Sequence, residues 1–206
     1  MYAADTSAHR IHRITVAGTA PPTVTVFAGT GTAGATNATG TAAAFSSPQG
    51  LAVDSEGNVY VADTGNHLIR RITPAGVVTT FAGSTVGSSD GIGILAKFNN
   101  PRRIAYDSGR NVLYVTDTDN NCIRKIMLPV GNVTTLAGNN NAGYTEGVGV
   151  TATFNKPCGI TVDRYGSIYV ADTDNYCIRM IDPASCLLYT SPSPRDRTRS
   201  RMPSSA

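Results

Sequence analysis

The 206-residue chain is 41% hydrophobic and 15% charged, which excludes a disordered polyampholyte and fits a globular protein. Its formal charge of +3 comes entirely from the last 21 residues, because residues 1–185 hold 13 Lys and Arg against 13 Asp and Glu. Twenty-one glycines with abundant Thr and Asn favour short strands and turns over helices, and no apolar run approaches the roughly 20 residues of a membrane helix.

In chain order, the segment YAADTSAHRIHRI at 2–14 introduces the pattern that governs everything after it. A strand runs into Asp5-Thr6, a tight turn follows, and a second strand leads on to Phe27-Ala28-Gly29. The first unit, 1–29, therefore holds strands b, c and d of a four-stranded motif. The second unit, 30–83, shows all four. Strand a is Gly50–Asp54, b is Val59–Ala62, c is His67–Ile72 and d is Val77–Phe81. Ser55–Asn58, Asp63–Asn66 and Thr73–Gly76 are the turns between them. The third unit, 84–138, carries YVTDTDNNCIRKI at 114–126 and closes on Leu136-Ala137-Gly138. The fourth, 139–185, carries YVADTDNYCIRMI at 169–181 and is expected to hold strands a to c. An aromatic three residues before a proline recurs as Phe45/Pro48, Phe98/Pro101 and Phe154/Pro157. Residues 186–206, CLLYTSPSPRDRTRSRMPSSA, have no counterpart in any unit. They resemble a translated sequencing-library adapter and are expected to form a non-native, disordered tail.

The tyrosines at 2, 60, 114 and 169 stand 58, 54 and 55 residues apart. Four antiparallel strands at that period describe a β-propeller blade better than a solenoid coil. A single blade cannot cover both of its apolar faces, so it needs a neighbour on each side. The fold class is therefore all-β, an open propeller of four-stranded antiparallel blades.

The repeated G-[IL]-[AT]-V-D-x-x-G-x-[VI]-Y-V-A-D-T-x-N-x-x-I-R-x-I resembles the NHL repeat, over residues 2–183. The Asn-His-Arg-Ile core of that family is imperfect here, as in Asn120-Asn121-Cys122-Ile123. The resemblance implies a six-bladed ring, of which this chain would be a portion whose open ends self-associate.

Propeller geometry puts the b–c turns and d–a loops on one face. That face gathers the binding candidates Asp63, Asn66, His67, Asp90, Asp117, Asp119, Asn120, Asn121, Glu146, Asp172, Asp174 and Asn175. Identical placement in every unit gives Asp63, Asp117 and Asp172 a structural reading. They are expected to pair with Arg70, Arg124 and Arg179 across neighbouring blades. His9 and His67 are equivalent, but Asn121 and Tyr176 replace them in the next two units, so no metal site is expected. Cofactors are expected to be none, and Cys122, Cys158 and Cys177 to be small free thiols. No residues form a recognisable catalytic constellation.

The loops 30–47, 84–100 and 139–156 differ most between units, and loops on a rigid frame are where binding specificity usually lies. The expected function is a non-enzymatic recognition scaffold for a protein or peptide. The resemblance also implies two alternatives. One is single-stranded RNA binding, disfavoured by zero net charge over 1–185 although Lys97, Arg102, Arg103 and Lys156 could gather into a patch. The other is an NHL-type lyase or hydrolase whose catalytic residues would lie in blades beyond these four. No compartment is assigned.

Overall fold

The computed structural model describes residues 1–190, which form four antiparallel sheets in chain order. The first holds β1 (Tyr2–Asp5), β2 (Arg10–Thr15) and β3 (Thr23–Ala28). The second holds β4 (Pro48–Val53), β5 (Val59–Asp63), β6 (Leu68–Ile72) and β7 (Val78–Ala82). The third contains β8 (Gly91–Ile92), β9 (Pro101–Asp107), β10 (Val112–Asp117), β11 (Cys122–Met127) and β12 (Asn132–Ala137). The fourth contains β13 (Gly147–Val148), β14 (Pro157–Val162), β15 (Ile168–Asp172), β16 (Cys177–Asp182) and β17 (Leu187–Thr190).

Three of these strands, β8, β13 and β17, depart from the sequence reading. The d–a loops do not stay on one face. They descend the outer edge, where β8 and β13 pair with β12 and β17 as fifth strands. In the second sheet a single bridge, Thr39 to Val77, does the same job. Each addition gives hydrogen-bond partners to an outer strand that would otherwise present bare backbone groups. The fourth sheet also does not stop at residue 185, since Leu187–Thr190 pair with Arg179–Asp182. Leu188 is fully buried and Leu187 is 42% exposed, so this short run alternates as an outer strand must. The rest of the expected tail, 191–206, lies outside the described residues.

Strand β5, Val-Tyr-Val-Ala-Asp, shows how the sheets hold together. All five residues are buried, because alternate side chains enter two different interfaces. Val59 and Val61 meet Ile11, Ala28 and Phe45 toward the first sheet. Tyr60 and Ala62 meet Phe98, Ile104, Leu113 and Val115 toward the third. The third cluster, around Tyr114, Phe154, Ile168 and Val170, repeats this between the last two sheets. The first strands of successive sheets, β4, β9 and β14, line up innermost, where the blades converge. A Cβ built on Gly50 of β4 would lie 2.5 Å from the Arg102 carbonyl oxygen, so only glycine lets the neighbouring backbone come this close.

Candidate functional site

At the b–c turn of the last three blades strand b ends in an aspartate followed by one turn of 3-10 helix: Thr64–Asn66, Thr118–Asn120 and Thr173–Asn175. The turn closes on a left-handed residue, His67 (φ 58°), Asn121 (φ 49°) or Tyr176 (φ 56°). This folds the aspartate back under its own turn. Oδ1 of Asp63, Asp117 and Asp172 accepts the backbone N–H of Ser46, Asn99 and Asn155, each at 2.7 Å. Oδ2 accepts the amide of Asn66, Asn120 and Asn175, each at 2.8 Å. The same asparagines also donate to the carbonyls of Gly34, Gly87 and Gly143.

The arginines complete this frame. Arg70, Arg124 and Arg179 approach Asp63, Asp117 and Asp172 at 2.9, 2.8 and 3.1 Å, and every partner is 0% exposed. These pairs lie within one blade, not between blades as expected. The register explains why. Arg70 stands opposite Val61 and Asp63 opposite Leu68, so both side chains leave the same face of the sheet as diagonal neighbours. The rest of each guanidinium faces its own preceding loop. Arg70 donates to the Ala44 carbonyl and to Asn37, and Arg124 to the Lys97 carbonyl and to Asp90. Arg179 donates to the carbonyls of Thr153 and Thr145. Below, the rings of Phe45, Phe98 and Phe154 lie 5.3, 5.1 and 5.8 Å from the guanidinium carbons.

Burial pushes the Asp63 and Asp117 carboxyls up, Asp117 to about 6, while the arginines, asparagines and backbone amides pull them down. Every hydrogen-bond partner of Asp63 is a donor, so its site is built for the anion. Burial also holds the Cys122 thiol well above its ordinary value.

Two further contacts in the motif escape sequence reasoning, and both cross between blades. Thr6, Thr64 and Thr118 donate to the carbonyls of Pro48, Pro101 and Pro157, the first residue of the next blade's strand a, at 2.8, 2.7 and 2.8 Å. His9 and His67 accept the backbone N–H of Ser47 and Asn100 at Nδ1, and Asn121 Oδ1 accepts that of Lys156, at 2.9, 3.0 and 2.9 Å. The signal was present in the substitution of His by Asn at a left-handed position, since both side chains offer one acceptor near the backbone. Tyr176, which offers none there, is 95% exposed.

The remaining candidates scatter. Asp90 accepts from Arg124 and Thr135, and Glu146 from the Thr190 amide. Asp119 is paired with Lys156 at 2.8 Å and also accepts from Asn100. Asp174 is exposed. Of the four basic residues that could gather, Lys156 is taken by Asp119, and Arg102 leans on Cys158. Among the described residues no three His, Cys, Asp or Glu side chains converge as metal ligands, and Cys122, Cys158, Cys177 and Cys186 are free. The opposite face, formed by the a–b turns, carries a cleft of about 650 Å³ between the last two blades, lined by Tyr106, Arg110, Arg164 and Tyr165. No sequence pattern pointed to it.

Residues 45–72 and 98–126 match the NHL repeat family model. NHL repeat-containing protein 2 of Bos taurus is 36% identical over 154 residues, which is 68% of this chain and 21% of that protein. Among solved structures, a Bacteroides thetaiotaomicron protein of unknown function superposes with a TM-score of 0.67 at 27% identity, over 84% of this chain and 42% of its own. An auxiliary nutrient binding protein of the same organism shares the fold at 20% identity, with a TM-score of 0.66 over 93% of this chain and 45% of its own. The chain thus spans about a fifth of the length of its curated relative and under half of these two structures. The blade-by-blade Asp-Asn-Arg frame, set on these matches, makes this chain a member of the NHL-repeat β-propeller family.

Proposed function

We propose that the chain is a non-enzymatic recognition scaffold that takes a protein or peptide on its d–a loops. One observation carries this reading. The Asp and Arg groups that recur in the last three blades are consumed by internal hydrogen bonds, which leaves the loop side chains as the exposed surface of a rigid frame. Val86, Ile94, Leu95 and Tyr144 are 55%, 66%, 71% and 52% exposed, and all four sit on loops anchored by a buried Phe98 or Phe154. Exposed apolar and aromatic groups held on fixed backbone suit a protein partner better than a phosphate backbone, which calls for unpaired cations.

The test is partner capture by the chain and by a Val86→Ser, Ile94→Ser, Leu95→Ser variant. Capture should be lost while the melting temperature stays within a few degrees of the parent. Retention of the partner by this variant, with loss only when the frame itself is broken, would refute loop recognition.

A further inference from the structure

On the face opposite the loops, the a–b turns depart from the repeat at three positions, and all three meet in one cleft. The turn reads Asp54-Ser55-Glu56-Gly57-Asn58 in the second blade, Asp107-Ser108-Gly109-Arg110-Asn111 in the third and Asp163-Arg164-Tyr165-Gly166-Ser167 in the fourth. Its left-handed residue is Gly57 (φ 83°) or Gly166 (φ 89°), but in the third blade it is Asn111 (φ 53°). That shift opens the glycine position to Arg110. The Arg110 guanidinium crosses to the next blade and lies on Gly166, where any Cβ would collide with Nη1. Arg110, Arg164 and Tyr165 thus border the cleft of about 650 Å³ between these two turns. The gap between the turns of blades two and three, lined by Asp54 and Glu56, is only about 160 Å³.

The carboxylates of the cleft are already occupied. Asp107 accepts the backbone N–H groups of Gly109 and Arg110 at Oδ1 and pairs with Arg110 Nη1 at Oδ2, 2.9 Å away. Asp163 accepts the backbone N–H groups of Tyr165 and Ser167 at 2.8 and 2.9 Å. Arg164 has no carboxylate partner among the described residues. It donates to the Tyr165 hydroxyl, and its guanidinium carbon stands 4.7 Å from the centre of that ring. A guanidinium carries five N–H donors, so Arg110 and Arg164 both keep donors free at the cleft. The Tyr165 ring beside them is 72% exposed.

We infer that this cleft binds a small organic anion whose carboxylate or phosphate group is carried on a flat ring. The charged group lies between Arg110 and Arg164, whose planar forks match its oxygens, and the ring stacks on Tyr165. Residues that break a repeat answer to a need that only one gap has. Here they bring two cations and an aromatic ring together between two blades that their shared core holds fixed. The site is on the face opposite the loop surface proposed above, so its failure leaves that reading untouched.

The probes are phenyl phosphate and benzoate, each titrated at low salt into the full isotope-labelled chain and followed by amide chemical shifts. Saturable shifts are expected at residues 108–110 and 164–167, with a dissociation constant of about 1 mM or below. The tighter of the two probes identifies the anion. Arg164→Ala, changed at an exposed position, should weaken binding about tenfold or more with its melting curve unaltered. Tyr165→Ala should remove the advantage of phenyl phosphate over inorganic phosphate. Phenol, which keeps the ring without the charge, should not bind. Undiminished binding to Arg164→Ala overturns the inference, as do saturable binding of phenol, shifts confined to other parts of the chain, or no binding of either probe. Inorganic phosphate that binds the unaltered chain as tightly as phenyl phosphate overturns it too, by marking an adventitious ion only.

Discussion

At the residue scale, the buried aspartate and arginine of each of the last three blades form a unit that is costly to halve. Removing one member leaves the other charge in a dry site with its remaining donors or acceptors unmatched. Asp117→Ala should therefore destabilise the chain by about 3–5 kcal/mol in urea unfolding. Arg124→Ala should do nearly as much alone and add little on top of it. Arg124→Lys should not rescue, because an ammonium cannot reach Asp117, Asp90 and the carbonyls of Lys97 and Ser89 in one plane. The partly exposed Asp119 behaves differently. Partial burial raises its carboxyl, but hydrogen bonds from Lys156 and Asn100 outweigh that and hold it below its ordinary 3.8. A folded-state value below the unfolded one stabilises the fold above pH 3.8, and that contribution drains away as pH falls through the folded value. Asp119→Asn should thus flatten the loss of melting temperature on acidification from pH 5 to 3. The effect is expected to be under about 1 kcal/mol, since water screens the pair.

At the scale of the element, the b–c turn does two jobs that its sequence shows only in part. Its Asp, Asn and Arg secure the blade's own loop, while its Thr and its left-handed last residue hold the next blade. His67→Asn should leave stability nearly unchanged, because Asn121 already performs the same role one blade on. His67→Ala should cost about 1–2 kcal/mol, as the Asn100 amide loses its acceptor and a left-handed position loses a tolerant residue. Thermal unfolding of the pair of variants separates the two expectations. Phe98→Ala should cost about 3–5 kcal/mol, since it empties a site sealed by Arg124 on one side and by the second blade on the other. The strand Val59–Ala62 was legible, because a short apolar run is bounded there by turn residues. The short β8 and β13 were not legible, because two residues carry no period.

At the scale of the whole molecule, stability resides between blades as much as within them. Three apolar clusters each draw on two successive sheets, so no sheet keeps its core without a neighbour. The innermost strands set the tightest limit. Gly50→Val should force the backbone of Arg102 and Arg103 away and lower the melting temperature by several degrees. For about 1–3 kcal/mol of overpacking in a chain of this size, roughly 2–4 °C per kcal/mol is expected. The outer edge is more permissive. Leu187–Thr190 have no counterpart in the repeat, yet they complete the fourth sheet, because strand c offers an unpaired edge that any alternating segment after a tight turn can meet.

Repetition in the sequence was enough to determine the fold class and to show that the Asp and Arg positions recur together from unit to unit. A residue that recurs in every unit answers to a need that every unit has, and periodicity is a local property that the chain carries in plain order. Only the tertiary structure decided which blade each arginine serves, and that the histidines and threonines are inter-blade contacts. Those depend on register and on how one sheet stacks upon the next, which are fixed by packing between residues 30 or more positions apart.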